Sequence, residues 1–117
     1  MRPAEIRGSN RVNFKRISVE RAMKMMSEQD LVQIVDIRDD QSFIAGHIPD
    51  SFQLHGANID EFMASANPEA PLLVVCYHGI SSQSAAAYLA EQGFRDTYSL
   101  DGGFEAWMSA QKSSASS

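Results

Sequence analysis

The run Leu72-Leu73-Val74-Val75-Cys76 constrains the fold of this chain more than any other segment. Five consecutive apolar residues are typical of a strand that is buried on both faces of a mostly parallel sheet. The segment 77–80 contains a glycine, and the pattern of residues 81–92 then predicts a helix that Gly93 closes. The sequence therefore predicts a strand, a tight loop and a helix, with the cysteine at the carboxyl end of the strand.

Strand and helix patterns alternate through the rest of the chain. We predict strands at 31–36, 52–54 and 96–100, and helices at 19–28 behind a Ser18 cap, at 39–45, at 60–66 and from 103 onward. Such alternation indicates an α/β fold with one open sheet. A chain of 117 residues with 44% hydrophobic content is long enough for one cored domain. We assign residues 13–110 to this domain, 1–12 to a flexible leader and 111–117 to a flexible tail.

Charge and cysteine content narrow the function classes. Residues 1–25 hold seven of the ten Lys and Arg residues but two of the fifteen acidic residues, so the remainder is strongly acidic. An acidic body repels backbone phosphates, and we predict no nucleic-acid partner. A single cysteine favours a reducing compartment. With no apolar stretch near the length of a bilayer span and no secretory signal, we predict a cytoplasmic protein without a membrane partner.

Cys76 is the candidate nucleophile. In open α/β sheets, ligands bind beyond the carboxyl ends of the strands, which is where the pattern puts this cysteine. The following loop leads into a helix N-terminus, whose unpaired amides favour a thiolate. Free cysteine is also among the residues most often buried for packing alone. Position by itself leaves both interpretations open.

Four motifs, in order, add to this reading. The loop Cys76-Tyr77-His78-Gly79-Ile80-Ser81-Ser82 resembles the active-site loop of the rhodanese family. The segments 35–39 (VDIRD), 43–49 (FIAGHIP) and 101–107 (DGGFEAW) look like that family's strand-end motif, upstream signature and last helix start. The resemblance covers residues 14 to 108.

This resemblance implies a single rhodanese-like domain with a five-stranded parallel sheet flanked by helices. It implies a thiosulfate sulfurtransferase in which Cys76 carries a sulfane sulfur as a persulfide. Thiosulfate would be the donor, and cyanide or a thiol such as thioredoxin the acceptor, with no cofactor. Substrate would be bound by the loop residues Tyr77, His78, Gly79, Ile80 and Ser81. Two positions depart from the single-domain members: Ile80 replaces a polar Asn, and Asp50 replaces a small residue.

The loop has no Lys or Arg from Cys76 to Ser84. We therefore predict that backbone amides wrap around the sulfur and hold its charge, with serine hydroxyls at the helix start as further donors. The same absence disfavours a cysteine-loop phosphatase, which needs an arginine to grip phosphate. A non-catalytic or sulfur-relay binding module is the other alternative, although such modules usually lack the loop cysteine.

The remaining candidates are given structural roles. We predict that Asp36 and Arg38 form an ion pair that fixes a loop, and that His47 holds a turn. Phe104 and Trp107 have helical spacing and are assigned to the core. Two roles stay open for His78: it donates a hydrogen bond to an anionic sulfur-donor substrate, or it faces solvent. The three histidines are too scattered to predict a metal site.

Overall fold

Strands and helices alternate along the chain in the computed structural model, which describes residues 13–29 and 31–115. The strands are β1 (Lys15–Ile17), β2 (Gln33–Asp36), β3 (Phe52–Gln53), β4 (Leu72–Val75) and β5 (Thr97–Leu100). The helices are α1 (Val19–Glu28), α2 (Asp40–Ala45), α3 (Ile59–Ser65), α4 (Ser81–Glu91) and α5 (Gly103–Ala115). The predicted leader, residues 1–12, and the last two residues of the predicted tail lie outside the described part.

The five strands form one sheet in the order β1-β5-β4-β2-β3, and every neighbouring pair is parallel. This confirms the predicted five-stranded parallel sheet. Strand β4 lies at the centre, where Val75 pairs with Asp36 of β2 and Val74 pairs with Ser99 of β5. Residues that follow β2 and β4 therefore meet at one edge of the sheet. Among the described residues, no helix is both long and apolar enough to cross a membrane.

The central strand is buried on both faces, which explains its continuous apolar run. Leu73 and Val75 belong to a core cluster on the side of α1 and α5, together with Met25 and Trp107. The alternate residues of the strand, Leu72 and Val74, pack with residues of α3 and α4 on the other side, such as Phe62 and Leu89. All four β4 side chains have no exposed surface. The sheet is thus a middle layer between two helical layers.

Side-chain caps define two of the predicted helix starts. Ser18 Oγ accepts a hydrogen bond from the Arg21 amide at 3.2 Å, and Asp39 Oδ1 accepts one from the Ser42 amide at 2.8 Å. The first helix thus begins where the sequence predicted, and the second begins one residue later because Asp39 serves as its cap. Asp50 has a φ of 68°, a left-handed conformation that aspartate tolerates better than most residues.

The last helix is longer than the sequence suggested. It continues to Ala115, five residues beyond residue 110, where we ended the domain. Residues 110–112 are Ala, Gln and Lys, which favour helix, and no glycine or proline interrupts the segment. Residues 111–115 of the segment predicted as a tail therefore continue the helix.

Candidate active site

Cys76 directly follows β4 and precedes the N-terminus of α4. Its side chain is a free thiol and is 5% exposed. The central strand fixes the position of the residue, because β4 pairs on both sides and has no freedom at its end. The structure thus places the predicted nucleophile at the carboxyl edge of the sheet, where the pattern predicted it.

Backbone amides of the following loop point at the sulfur. The Gly79 amide donates to Cys76 Sγ at 3.1 Å, and the Ser82 amide donates at 3.2 Å. These contacts confirm the prediction that peptide dipoles surround the sulfur. The set reaches one residue further than the predicted loop, because the Ser82 amide is one of the unpaired donors at the start of α4.

Two buried hydroxyls continue from the sulfur into the protein. Cys76 Sγ lies 3.2 Å from Ser82 Oγ, which lies 2.8 Å from Ser99 Oγ. Both serines have no exposed surface. The sequence predicted a serine hydroxyl at the helix start, and Ser82 supplies it. Ser99, on the neighbouring strand β5, was not predicted as part of the site.

These donors change the acidity of the thiol. Burial raises the pKa of Cys76, but hydrogen bonds from the Ser82 hydroxyl and from the amides of Ser82, Gly79 and His78 outweigh it, so that the pKa lies below its usual value. The first contribution disfavours any charge, whereas the others favour the anion specifically. The site therefore favours a thiolate without a neighbouring cation.

Gly79 allows the loop to turn back on itself. Its φ is +85°, and a Cβ at this position would lie 2.7 Å from the Gly102 nitrogen and 2.8 Å from the Leu100 carbonyl oxygen. No side chain fits in that space without a shift of backbone atoms. The amide that bonds to the sulfur is thus held by close packing against the turn that precedes α5.

The start of α5 holds the loop from the opposite side. The amides of Phe104 and Glu105 donate to the carbonyl oxygens of Cys76 and Tyr77 at 2.8 and 3.2 Å. Gly103, with φ +62°, makes this approach possible, because a Cβ there would lie 2.4 Å from the Tyr77 carbonyl. The carbonyls of Cys76 and Tyr77 are thus held by α5. The amide of Gly79, later in the loop, is directed at the sulfur.

The other predicted loop residues form the rim of the site. The Tyr77 hydroxyl bonds to Ser42 Oγ of α2 at 2.7 Å, and His78 Nδ1 bonds to Glu105 Oε1 at 2.9 Å. The Ile80 side chain is 74% exposed, and Ser81 is exposed at the first position of α4. Of the predicted substrate-binding set, Gly79 donates its amide to the sulfur and the His78 amide also acts on it.

The predicted ion pair between Asp36 and Arg38 is present and buried. Arg38 Nε and Nη2 both donate to the Asp36 carboxylate, at distances from 2.8 to 3.1 Å, and Nη2 also reaches the Gly46 carbonyl at 2.7 Å. The guanidinium lies 4.1 Å from the Phe104 ring centre. This pair fixes the segment beside the site, as the sequence indicated.

The structure also locates the weaker candidates. His47 Nδ1 lies 2.7 Å from the Phe43 carbonyl and its ring stacks on the Phe43 ring, which confirms a role in a turn. Trp107 is buried in the core as predicted, whereas Phe104 is half-buried. Phe104 packs against the same core cluster, as predicted, and its ring also lies against the Arg38 guanidinium. Within the described residues, no group of three or more His, Cys, Asp or Glu side chains is arranged to hold a metal ion.

The sequence of this chain is similar to those of known proteins over most of its length. The family model for the rhodanese-like domain matches residues 18–110. The thiosulfate sulfurtransferase GlpE of Shewanella oneidensis is 56% identical over 98 residues, which cover 84% of this chain and 96% of the relative. A GlpE of Pseudomonas aeruginosa strain LESB58 is 52% identical over 104 residues, covering 89% and 93% of the two chains.

Solved structures show the same fold. A rhodanese-like domain protein from Staphylococcus aureus superposes with a TM-score of 0.69 at 30% identity, covering 80% of this chain and 91% of the other. The rhodanese-like domain of the Alr3790 protein from Anabaena has a TM-score of 0.71 at 20% identity, covering 81% and 74% of the two chains. By its sequence, its sheet and the loop around its cysteine, this chain belongs to the rhodanese-like domain family.

Proposed function

We propose that this protein is a thiosulfate sulfurtransferase, with Cys76 as the nucleophile and residues 77–81 as the donor-binding loop. The observation that carries the proposal is that the amides of Gly79 and Ser82 donate to Cys76 Sγ at the carboxyl edge of the sheet. Relatives at 52 to 56% identity are named thiosulfate sulfurtransferases, which supports the same donor here.

The first half of the reaction loads the cysteine. The Cys76 thiolate attacks the outer sulfur of thiosulfate, the sulfur–sulfur bond of thiosulfate breaks, and sulfite leaves with the bonding electrons. The product is a persulfide whose terminal sulfur carries the negative charge. Amide donors stabilise an anion at this position without neutralising it, so the loaded sulfur remains available to an acceptor.

The second half returns the thiolate. A nucleophilic acceptor attacks the terminal sulfur, and Cys76 leaves as a thiolate. Cyanide gives thiocyanate, and a thiol gives a new persulfide on the acceptor. Because a thiol of lowered pKa is a better leaving group, the hydrogen bonds to Cys76 Sγ favour this step as well.

We assign the physiological acceptor to a cytoplasmic thiol, with a dithiol of the thioredoxin type as the specific candidate. A dithiol would take the sulfur on one thiol, close to its own disulfide and release sulfide. The support is chemical: a lone cysteine that cycles between thiolate and persulfide needs a reducing compartment to remain usable.

The alternatives fit this site less well. The donors on Cys76 Sγ are neutral amides and a hydroxyl, whereas a phosphatase needs an arginine to pair with a phosphate dianion. Arg38, the nearby buried arginine, is bound to Asp36. A purely non-catalytic module would have no use for donors directed at a thiol.

The test is thiocyanate formation from thiosulfate and cyanide by the wild-type protein and by Cys76→Ser. The serine hydroxyl is nearly isosteric but forms no persulfide, so we expect turnover in the wild type alone. Mass spectrometry after thiosulfate alone should find one added sulfur atom on the wild-type chain, removable by cyanide. Equal melting temperatures would show that the variant is folded. Turnover by a folded Cys76→Ser variant would refute the mechanism.

A further inference from the structure

The two serines beneath Cys76 form a short hydrogen-bonded chain that the sulfur-transfer steps do not require by themselves. Ser82 Oγ lies between Cys76 Sγ, at 3.2 Å, and Ser99 Oγ, at 2.8 Å. We propose that Ser99 is a positioning residue: its hydroxyl donates to Ser82 Oγ and thereby directs the Ser82 hydroxyl proton onto the Cys76 sulfur. This inference rests on the proposed function for its purpose but on the two contacts for its physics.

The two hydrogen-bonded serines accommodate a thiolate better than a neutral thiol. With a thiol, three hydrogens (one on sulfur and one on each hydroxyl) share the two links of the chain, so one of them lacks an acceptor there. With a thiolate, the Ser99 hydroxyl donates to Ser82, the Ser82 hydroxyl donates to the sulfur, and both hydrogens are used. The single change is loss of the sulfur-bound proton to solvent, followed by rotation of the hydroxyls.

Burial gives this count its weight. Ser82 and Ser99 have no exposed surface, so solvent supplies no acceptor to either hydroxyl, and a buried donor without a partner is costly. Within the described part of the chain, Ser82 Oγ is the hydrogen-bond partner of the Ser99 hydroxyl. When the sulfur is a thiolate, both hydroxyl hydrogens of Ser82 and Ser99 therefore have an acceptor. When the sulfur is a neutral thiol, one hydrogen is left without an acceptor among the three groups.

Nearby charges do not replace this arrangement. His78 of the loop bonds to Glu105 of α5, both well exposed, and Arg38 bonds to Asp36 at the end of β2. The Ser82 hydroxyl, from α4, and the loop amides are the hydrogen-bond partners of the sulfur itself. Because the thiolate is both the attacking group and the leaving group in the proposed reaction, a residue that favours it acts on both halves.

The test is the pH profile of Cys76 alkylation by iodoacetamide, which reports the thiolate and needs no sulfur transfer. As the chain has one cysteine, the alkylation of a thiol, measured on the Cys76 peptide, reports this site alone. We expect Ser99→Ala to move the profile to higher pH, slowing alkylation about threefold at a fixed pH below the midpoint. Ser82→Ala should move it further, because it deletes the direct donor.

The double variant separates positioning from packing. If Ser99 acts through Ser82, adding Ser99→Ala to Ser82→Ala leaves the profile where Ser82→Ala put it. Thr97→Val is the matched control: Thr97 is a buried hydroxyl on the same strand that bonds to the Phe94 carbonyl, and its loss should leave the profile unchanged. An equal shift from Ser99→Ala in both backgrounds, or no shift in the wild type, would overturn the inference.

A variant that keeps the hydroxyl covers the case in which Ser99→Ala does not fold. Ser99→Thr retains the donor, so we expect the wild-type profile, and a shift to higher pH in the folded variant would refute the positioning role. Failure of the proposed function would look different. A wild-type protein that transfers no sulfur but shows the expected alkylation pattern would refute the sulfurtransferase proposal and leave the role of Ser99 standing.

Discussion

Asp36 and Cys76 occupy equivalent places on neighbouring strands, yet the protein treats their negative charges differently. Asp36 ends β2 and pairs with Val75 of β4, and Cys76 is the next residue after Val75. The two acidic groups therefore lie near each other at the same edge of the sheet. Asp36 is 1% exposed and is met by the guanidinium of Arg38. Cys76 is also buried, but the groups that meet it are amides and a hydroxyl.

The difference separates a structural anion from a reactive one. A guanidinium neutralises the carboxylate and holds it in a bidentate geometry, so Asp36 is fixed and chemically silent. Dipoles stabilise a thiolate while leaving its charge and its electron pair in place, which suits a nucleophile that must accept and release sulfur.

Removing the Arg38 guanidinium tests whether the ion pair with Asp36 stabilises the fold. Arg38→Met leaves the Asp36 carboxylate buried without its partner, and we expect the free energy of unfolding to fall by about 3 kcal/mol or more. Urea unfolding measures the loss. Arg95→Met is the control, because its ion pair with Glu69 is exposed and should contribute less than about 1 kcal/mol. Equal losses in the two variants would contradict the comparison.

A side chain added at Gly103 should disturb the loop that follows Cys76. Gly103→Ala places a Cβ against the Tyr77 carbonyl, and we expect a loss of stability of about 2 kcal/mol together with slower alkylation of Cys76. Gly93→Ala is matched, since Gly93 also has a positive φ, of +116°, but its Cβ would meet nothing within 4 Å. That control should cost about 1 kcal/mol and leave alkylation unchanged. If both variants behave alike, backbone strain alone is responsible and the close packing is irrelevant.

The thiol should make stability depend on pH in a defined direction. Because the pKa of Cys76 is lower in the folded protein than in the unfolded chain, its contribution is absent below the folded pKa. It grows as pH rises through the folded pKa and is complete above the unfolded value of about 8.5. The stability of the wild type relative to Cys76→Ser should therefore increase from neutral to alkaline pH. A difference that is constant or falls over this range would mean that the amides do not favour the thiolate.

The smallest effect is expected at the rim. Ile80→Asn adds a polar group next to the loop, and we expect kcat/KM for thiosulfate to rise by about twofold to threefold, as one weak hydrogen bond would provide. Leu31→Asn is the control, because Leu31 is also exposed, at 54%, but precedes the opposite end of β2. Unchanged kinetics for Ile80→Asn would show that its exposed side chain points away from the donor.

Local patterns sufficed for β2 to β5, the Ser18 cap and the position of Cys76, because each depends on residues close together in sequence. Strand β1 was missed, because it has three residues and the pattern predicted no strand before residue 31. The amide cradle followed from the absence of cations in the loop. Ser99 was missed because its contact with Ser82 depends on the parallel register that pairs it with Val74. Strand β4 is apolar at every position, so its pattern has no alternation from which a register could be predicted. A polar residue in an otherwise buried strand was the available signal.

Glu105 and Ser42 were missed for a related reason. They meet His78 and Tyr77 from α5 and α2, and both contacts arise from the packing of helices around the edge of the sheet. The motif at 101–107 contained Glu105, but its spacing alone did not connect it to a residue 27 positions earlier. Long-range side-chain pairs of this kind need the assembled fold.

The hydrogen bonds from α5 to the loop also bear on the order in which the protein is made. Cys76 leaves the ribosome well before Phe104 and Glu105, whose amides bind the carbonyls of Cys76 and Tyr77. Until the last helix has been synthesised, those carbonyls have no partners from α5 and the loop lacks one of its two supports. A nascent chain that has not yet reached α5 therefore lacks these two hydrogen bonds, and the loop around Cys76 takes its final form only after α5 has been made.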